Sequence, residues 1–193
     1  MPFFMRLLSQ ELVAMDFSSR VLILPGLGNS GEQHWQSSWE RQHPSFQRVE
    51  QTNWETPVCA DWIKQVDRAV MAGNPTDVIL VGHSLACITI AYWAQTYQRS
   101  IKGALLVAPS DTEAASYPPG TTGFTPVPLV QLPFPSIVVA SSSDFYVSLE
   151  RARQFAEAWG SRFEEIGDAG HINVASGYGE WPRGLAWLKE LDR

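Results

Sequence analysis

The chain is 193 residues long, 45% hydrophobic and 18% charged, enough apolar material for one packed core and too short for two sizeable ones. Lysine and arginine number 14 against 20 aspartates and glutamates, a formal net charge of −6; this acidic balance argues against nucleic acid or an anionic membrane as partner. Cys59 and Cys87 are too few for a disulfide scaffold or a four-cysteine metal site and point to a reducing, cytoplasmic setting.

Residues 1–19 precede the regular pattern. Phe3, Leu7, Leu8 and Leu12 approximate helical spacing, but Ser9, Gln10 and Glu11 break the apolar run too early for a secretory signal. This stretch is read as an N-terminal extension, and residues 20–193 as one domain. Val21–Leu24 is a continuous apolar run ended by Pro25-Gly26, as expected of a buried parallel strand. A helix is expected from Glu32 to about Gln42, then a weaker strand near Phe46–Glu50. Trp62, Val66, Ala69 and Val70 form a helical stripe. Val78–Val81 is a second apolar strand, and Leu85–Tyr97 a helix apolar on nearly every face. Two further strands follow, Ala104–Val107 and Ile137–Ala140. Phe155, Ala156 and Trp159 mark a helix stopped by Gly160, Phe163–Ile166 a short strand, and Trp181, Leu185, Leu188 and Leu191 a last helix. Such alternation predicts an α/β fold, a mostly parallel sheet with helices on both faces. One segment departs from it: Pro109–Pro135 is rich in Pro, Gly, Ser and Thr, either a binding loop or a solvated excursion.

Ligands of such sheets bind beyond the carboxyl ends of the strands. There stands Gly82-His83-Ser84-Leu85-Ala86, between an apolar strand and an apolar helix. The context is that of a nucleophile elbow, a turn tight enough to need small neighbours, which leaves the serine oxygen exposed. The plainer reading makes Ser84 a helix N-cap, which would not call for small residues on both sides. His171 stands on a late loop and is the natural base for Ser84. Asp144, after the strand ending at Ala140, is ranked first as the acid that orients the imidazole, with Asp111 second; Asp168, close to His171 in sequence, reads as a turn former.

These residues carry a resemblance. Pro25-Gly26, His34-Trp35, Gly82-His83-Ser84-Leu85, Ser142-Ser143-Asp144 and Gly170-His171-Ile172-Asn173 are similar to the pattern of the small α/β-hydrolase family typified by retinoblastoma-binding protein 9 and bacterial YdeN. The likeness runs from Arg20 to the C-terminus. It implies a reduced α/β-hydrolase fold without a separate cap domain, serine-hydrolase chemistry, and no cofactor. Asp168-Ala169, where relatives often carry glycines, and the proline-rich Tyr117–Pro135 stretch depart from the pattern and leave substrate choice open. In this reading the backbone N–H groups of Leu27 and Leu85 form the oxyanion hole. Gly28, Trp35 and His83 flank the pocket, and no metal is needed. A small ester is the expected substrate, with an amide as the alternative.

Two other classes compete. Gly26-Leu27-Gly28-Asn29-Ser30-Gly31 matches G-x-G-x-x-G after a strand, with Glu50 near a ribose-binding position, the pattern of a dinucleotide site. Against it, Glu32 places a carboxylate where a pyrophosphate would need free N–H groups. Eight tryptophans would also suit a non-catalytic protein-interaction module on the same fold, yet Trp62, Trp93, Trp159, Trp181 and Trp187 fall in helical patterns as core residues.

Overall fold

The computed structural model describes residues 16–193, so the stripe expected between Phe3 and Leu12 lies outside the described residues. The elements run β1 (Arg20–Leu24), α1 (Trp35–Gln42), β2 (Phe46–Arg48), α2 (Cys59–Val70), β3 (Val78–His83), α3 (Leu85–Tyr97), β4 (Gly103–Val107), β5 (Ser136–Ala140), α4 (Leu149–Trp159), β6 (Arg162–Glu165) and α5 (Pro182–Leu191). The expected first helix is shorter than its sequence pattern. Glu32 and Gln33 form an exposed turn, and the helix begins only after His34, whose side chain accepts a hydrogen bond from the Gln36 N–H as an N-cap.

All strand pairs are parallel, in the order β2-β1-β3-β4-β5-β6. The chain moves outward from β1 to β2, then returns to β3 on the other side of β1. The crevice at the carboxyl ends of β1 and β3 is therefore the topological switch point, where sheets of this kind bind ligands. Register sets what faces it: Leu24 pairs with Gly82 and His83 with Val107, so the Gly26 loop, Ser84 and the residues after β4 emerge at one level.

Burial follows the alternation of the strands. Leu22, Leu24, Leu80 and Leu106 pack under α2, α3 and α4, whereas Val21, Ile23, Val81 and Leu105 face α1 and α5. A fully buried Leu or Ile contributes roughly 1.5–3 kcal/mol, so two filled faces on the central strands dominate stability. Such strands read as unbroken apolar runs because neither face meets water. The edge strands β2 and β6 are short and carry Gln47, Arg48, Arg162 and two glutamates, which blunts edge-to-edge pairing. Among the described residues no helix is long and apolar enough to cross a membrane.

The described part of the extension is attached to the domain. Both Ser18 N–H and Ser18 O–H, with the Ser19 N–H, donate to the buried Asp192 carboxylate at 2.9–3.0 Å, and Phe17 packs edge-on against Phe46.

The proline-rich segment is pinned to the helices rather than solvated. Phe124, Val127, Leu132 and Phe134 are buried in the core. Trp159 donates to the Pro128 carbonyl at 2.7 Å and Tyr92 to that of Pro126 at 2.5 Å. Its Tyr117 and Pro118 reach the crevice above Ser84.

Candidate active site

Ser84 joins β3 to α3 with φ 60° and ψ −125°, a conformation that costs a non-glycine residue about 1–3 kcal/mol. The turn exists because its neighbours leave room. A Cβ on Gly82 would lie 2.8 Å from Ile90 Cδ1, and one on Gly26 2.8 Å from Ser84 Cβ. Ser84 occupies the N-cap position, yet its side chain makes no capping bond. Instead its Oγ lies 2.9 Å from His171 Nε2 and 2.8 Å from Ser110 Oγ. Asn29, Ala108 and Ile172 also have positive φ, so backbone strain gathers on the loops around this one serine.

His171 Nδ1 lies 2.9 Å from both oxygens of Asp144, whose side chain is fully buried. An ionised carboxylate only accepts, so Nδ1 carries the proton and Nε2 offers its lone pair to Ser84. The Tyr146 N–H donates to Asp144 Oδ1 at 2.9 Å, and the Tyr146 ring lies 4.6 Å from the imidazole. Asp111 points elsewhere: its carboxylate accepts from the Glu113 N–H and faces Arg151 at 3.4 Å. Asp168 is likewise outside the arrangement, exposed and accepting from Ser143 Oγ at 2.5 Å.

Around His171 the structure adds two further imidazoles. His83 Nε2 donates to the His171 carbonyl at 2.9 Å, and His34 packs on His83 with 4.9 Å between ring centres. Burial first, then the charge of Arg48 and of His171, pushes His34 down to about 4. Burial, followed by the charges of His171 and His34, holds His83 well below the usual histidine range. Both rings are therefore neutral near pH 7 and add no like charge beside His171.

These groups line a cavity of about 190 Å3 together with Leu27, Asn29, Ser30, Tyr117 and Asn173. Among the described residues neither the Leu27 N–H nor the Leu85 N–H has a hydrogen-bond partner. The two segments approach closely, since a Cβ on Gly26, the residue before Leu27, would come 3.3 Å from the Leu85 nitrogen.

This geometry has known counterparts. The serine hydrolase family model matches residues 21–190. The chain belongs to the serine hydrolase family. A YdeN-like hydrolase of Pectobacterium atrosepticum shares its structure with TM-score 0.79 and 31% identity, over 100% of this chain and 97% of its own. The ydeN gene product of Bacillus subtilis has TM-score 0.69 at 16% identity, covering 90% of this chain and 98% of that one. Carboxylesterase CesB of Bacillus subtilis has TM-score 0.61 at 15% identity, over 92% and 84%; at such identities the likeness is one of fold. No curated protein matches the sequence significantly.

As a serine hydrolase the chain departs from two of the expected pocket residues. Trp35 is fully buried under the sheet, donates to the Ile172 carbonyl at 2.8 Å and packs against Trp39 and Trp181, so it braces the His171 loop from behind. Gly28 is exposed, a Cβ at its position would meet nothing within 4 Å, and its N–H donates outward to the Trp54 carbonyl. His83 does line the cavity. The glycine loop is not the opening of a helix: residues 32–34 intervene, and the first turn of α1 is already capped by His34. Among the described residues no three His, Cys, Asp or Glu side chains gather as a metal site.

Ser110 and Tyr146 do not stand out in the sequence, and Asn173 is visible there only as the end of the Gly170–Asn173 motif. Their hydroxyl and amide types are visible after β4 and beside His171, but nothing local tells which way they face. The Ser141–Ser143 run reads only as the approach to Asp144. Its hydroxyls accept from the Ala169 and Gly170 N–H groups at 3.0 Å, which stitches the Asp144 loop to the His171 loop.

Proposed function

We propose that the protein hydrolyses small carboxylic esters through an acyl-enzyme on Ser84, with His171 as general base and Asp144 as its orienting acid. The observation that carries the reading is the unbroken 2.9 Å relay from Ser84 Oγ through the His171 ring to Asp144, set on a strained elbow at the switch point. Ser84 Oγ attacks the acyl carbon as its proton passes to His171 Nε2, and the carbonyl electron pair moves onto oxygen. The Leu27 and Leu85 N–H groups meet that oxyanion, each worth roughly 10²–10³ in rate by comparison with measured donors. The carbon–oxygen bond to the leaving group then breaks, and His171 returns the proton to the departing alcohol. Water repeats the sequence on the acyl-enzyme and releases the acid. Asp144 holds the imidazole in the tautomer with Nδ1 protonated throughout.

An ester is in keeping with CesB, a carboxylesterase of the same fold, and with a compact cavity of about 190 Å3 suited to a short acyl group. No cofactor takes part in this scheme. The two free, buried cysteines fit a reducing cytoplasm. The test pairs fluorophosphonate labelling with a panel of p-nitrophenyl esters and aminoacyl amides. The expected result is labelling of Ser84, turnover of short esters above amides, and loss of both labelling and turnover in a folded Ser84→Ala. A folded Ser84→Ala that turns over at the parent rate would overturn the assignment. A parent that is labelled but cleaves only amides would move the substrate class and leave the residues in place.

A further inference from the structure

Among the described residues, Ser110 brings the one hydroxyl that touches Ser84 Oγ, at 2.8 Å, and it is buried to 1% exposure. Its direction of donation can be worked out. With Nδ1 of His171 protonated against Asp144, Nε2 is an acceptor, so the Ser84 O–H donates to it. The Ser84 oxygen then has only lone pairs left, and the Ser110 O–H must donate to them. Ser110 follows β4, whereas Leu27 follows β1 on the other flank of β3; the donor to Oγ therefore comes from the opposite side of that strand from the Leu27 loop.

A donor on Oγ acts unequally on the two half-reactions. In the free enzyme the bond is already made to a hydroxyl oxygen, a good acceptor. As Oγ attacks, it gives one pair to the acyl carbon and keeps the pair left by the proton that passes to His171. Its acceptor strength changes little, and acylation gains little. In the acyl-enzyme the Oγ lone pair is delocalised into the ester carbonyl and accepts poorly. When water adds, its proton goes to His171 Nε2 and the acyl carbon becomes tetrahedral. The delocalisation ends and Oγ becomes a better acceptor. It gains most as the carbon–Oγ bond breaks, its electron pair returns to Oγ, and His171 delivers the proton there. A hydrogen bond that is weak in the ground state and strong in the transition state accelerates the step.

We infer that Ser110 is a catalytic residue of the deacylation half-reaction, donating a hydrogen bond from its hydroxyl to Ser84 Oγ as that oxygen leaves the acyl group and takes its proton from His171. The inference rests on the reading of Ser84 as nucleophile. It concerns how turnover is divided between the two steps, which that reading leaves open.

The experiment is stopped-flow hydrolysis of p-nitrophenyl acetate, taking acylation from the burst phase and deacylation from the steady state, with intact-protein mass spectrometry after quenching. For Ser110→Ala, deacylation is expected to slow about tenfold, the effect of one charge-assisted hydrogen bond, while the acylation constant changes less than twofold. The acetyl-enzyme, heavier by about one acetyl group in place of one proton, the product of the covalent step, then accumulates. Ser110→Cys keeps the shape with a weaker donor and is expected to show the same imbalance in smaller measure; it carries the test if the alanine variant does not fold. Equal slowing of both steps, or an unchanged partition in a folded variant, would overturn the inference. Acetyl on the Ser84 peptide of the parent is the control: if the parent forms no Ser84 adduct, the nucleophile reading itself has failed.

Discussion

The two shoulders of Ser84 are held by different chemistry. On the β1 side, Arg48 reaches from β2 into the loop, with Nη1 donating to Asn29 Oδ1 and the Ser30 carbonyl at 2.9 Å and Nη2 to Ser37 Oγ at 2.7 Å, while Glu40 accepts from the same guanidinium. Beneath it the fully buried Gln36 donates to the carbonyls of Leu24 and Val81 at 3.1 and 3.3 Å and accepts from Ser30 Oγ at 2.7 Å. On the β5 side the ties are single bonds made by serine hydroxyls: Ser141 accepts from the Ala169 N–H, Ser143 accepts from the Gly170 N–H and donates to Asp168, and Ser176 receives the His171 N–H at 3.1 Å. The difference suits what each side holds. In the proposed mechanism this loop presents the Leu27 N–H to a developing charge and must keep one conformation, and a five-donor planar fork spans it in one piece. The imidazole is held by its own carboxylate, so its loop needs only many small ties.

The sharpest way to break the comparison is to remove the carboxylate on which the β5 side depends. Asp144→Asn leaves the fold intact but favours the wrong tautomer of His171, and kcat on an activated ester is expected to fall by about 10⁴, as measured in a serine protease. Asp111→Asn, which touches only Arg151 and the Glu113 N–H, is expected to stay within a few-fold of the parent. Should the Asp111 variant be the crippled one, the orienting acid has been misplaced while Ser84 and His171 stand.

A smaller effect sharpens the contrast between the braces. Arg48→Lys keeps the ion pair with Glu40 but cannot fan donors over Asn29, Ser30 and Ser37. Loosening the Leu27 N–H should lower kcat about tenfold with KM little changed, below the 10²–10³ of a lost oxyanion donor. Ser143→Ala removes two single bonds at the periphery of the site, the one accepted from the Gly170 N–H and the one donated to Asp168. It touches neither Ser84 nor the imidazole ring, so it is expected to lower kcat by less than the Arg48 variant does. Steady-state kinetics on one ester decides it: a Ser143 variant slower than the Arg48 variant would reverse the order of the two braces.

How much of this is legible in the sequence depends on whether the signal is local. The apolar runs of β1, β3, β4 and β5 read directly because both faces are buried, and the elbow is visible because Gly82 and Ala86 must be small. The start of α1 is harder to place because His34, a ring rather than a Ser or Asp, serves as the cap. The sequence pattern puts Trp35 at the pocket, but the first turn of α1 aims it under the sheet toward Trp181. Gln36, Arg48 and Ser110 each act across 12 or more residues of sequence. Their roles depend on which face the backbone turns to the site, as at Ala108 with φ 49°, and no spacing rule encodes that.

The smallest expected effect concerns the neutral histidines that share the site between the two shoulders. His34 is lowered to about 4, first by burial and then by the charges of Arg48 and His171. In the unfolded chain it would titrate near the ordinary value of about 6.5. As pH falls below that value the unfolded state takes up a proton that the folded state refuses until about pH 4. The unfolded form thus binds more protons across this window, and stability falls as pH falls, by up to about 1.4 kcal/mol per pH unit for one such group. His34→Asn retains an acceptor for the Gln36 N–H and removes the titration. Urea unfolding at pH 7.5 and pH 5 is expected to show the parent losing about 2 kcal/mol more than the variant between the two conditions. His83 and the carboxylates are common to both proteins and cancel in the difference. Parallel losses in parent and variant would mean that His34 is charged inside the folded protein, and the neutral packing of imidazoles around His171 would have to be abandoned.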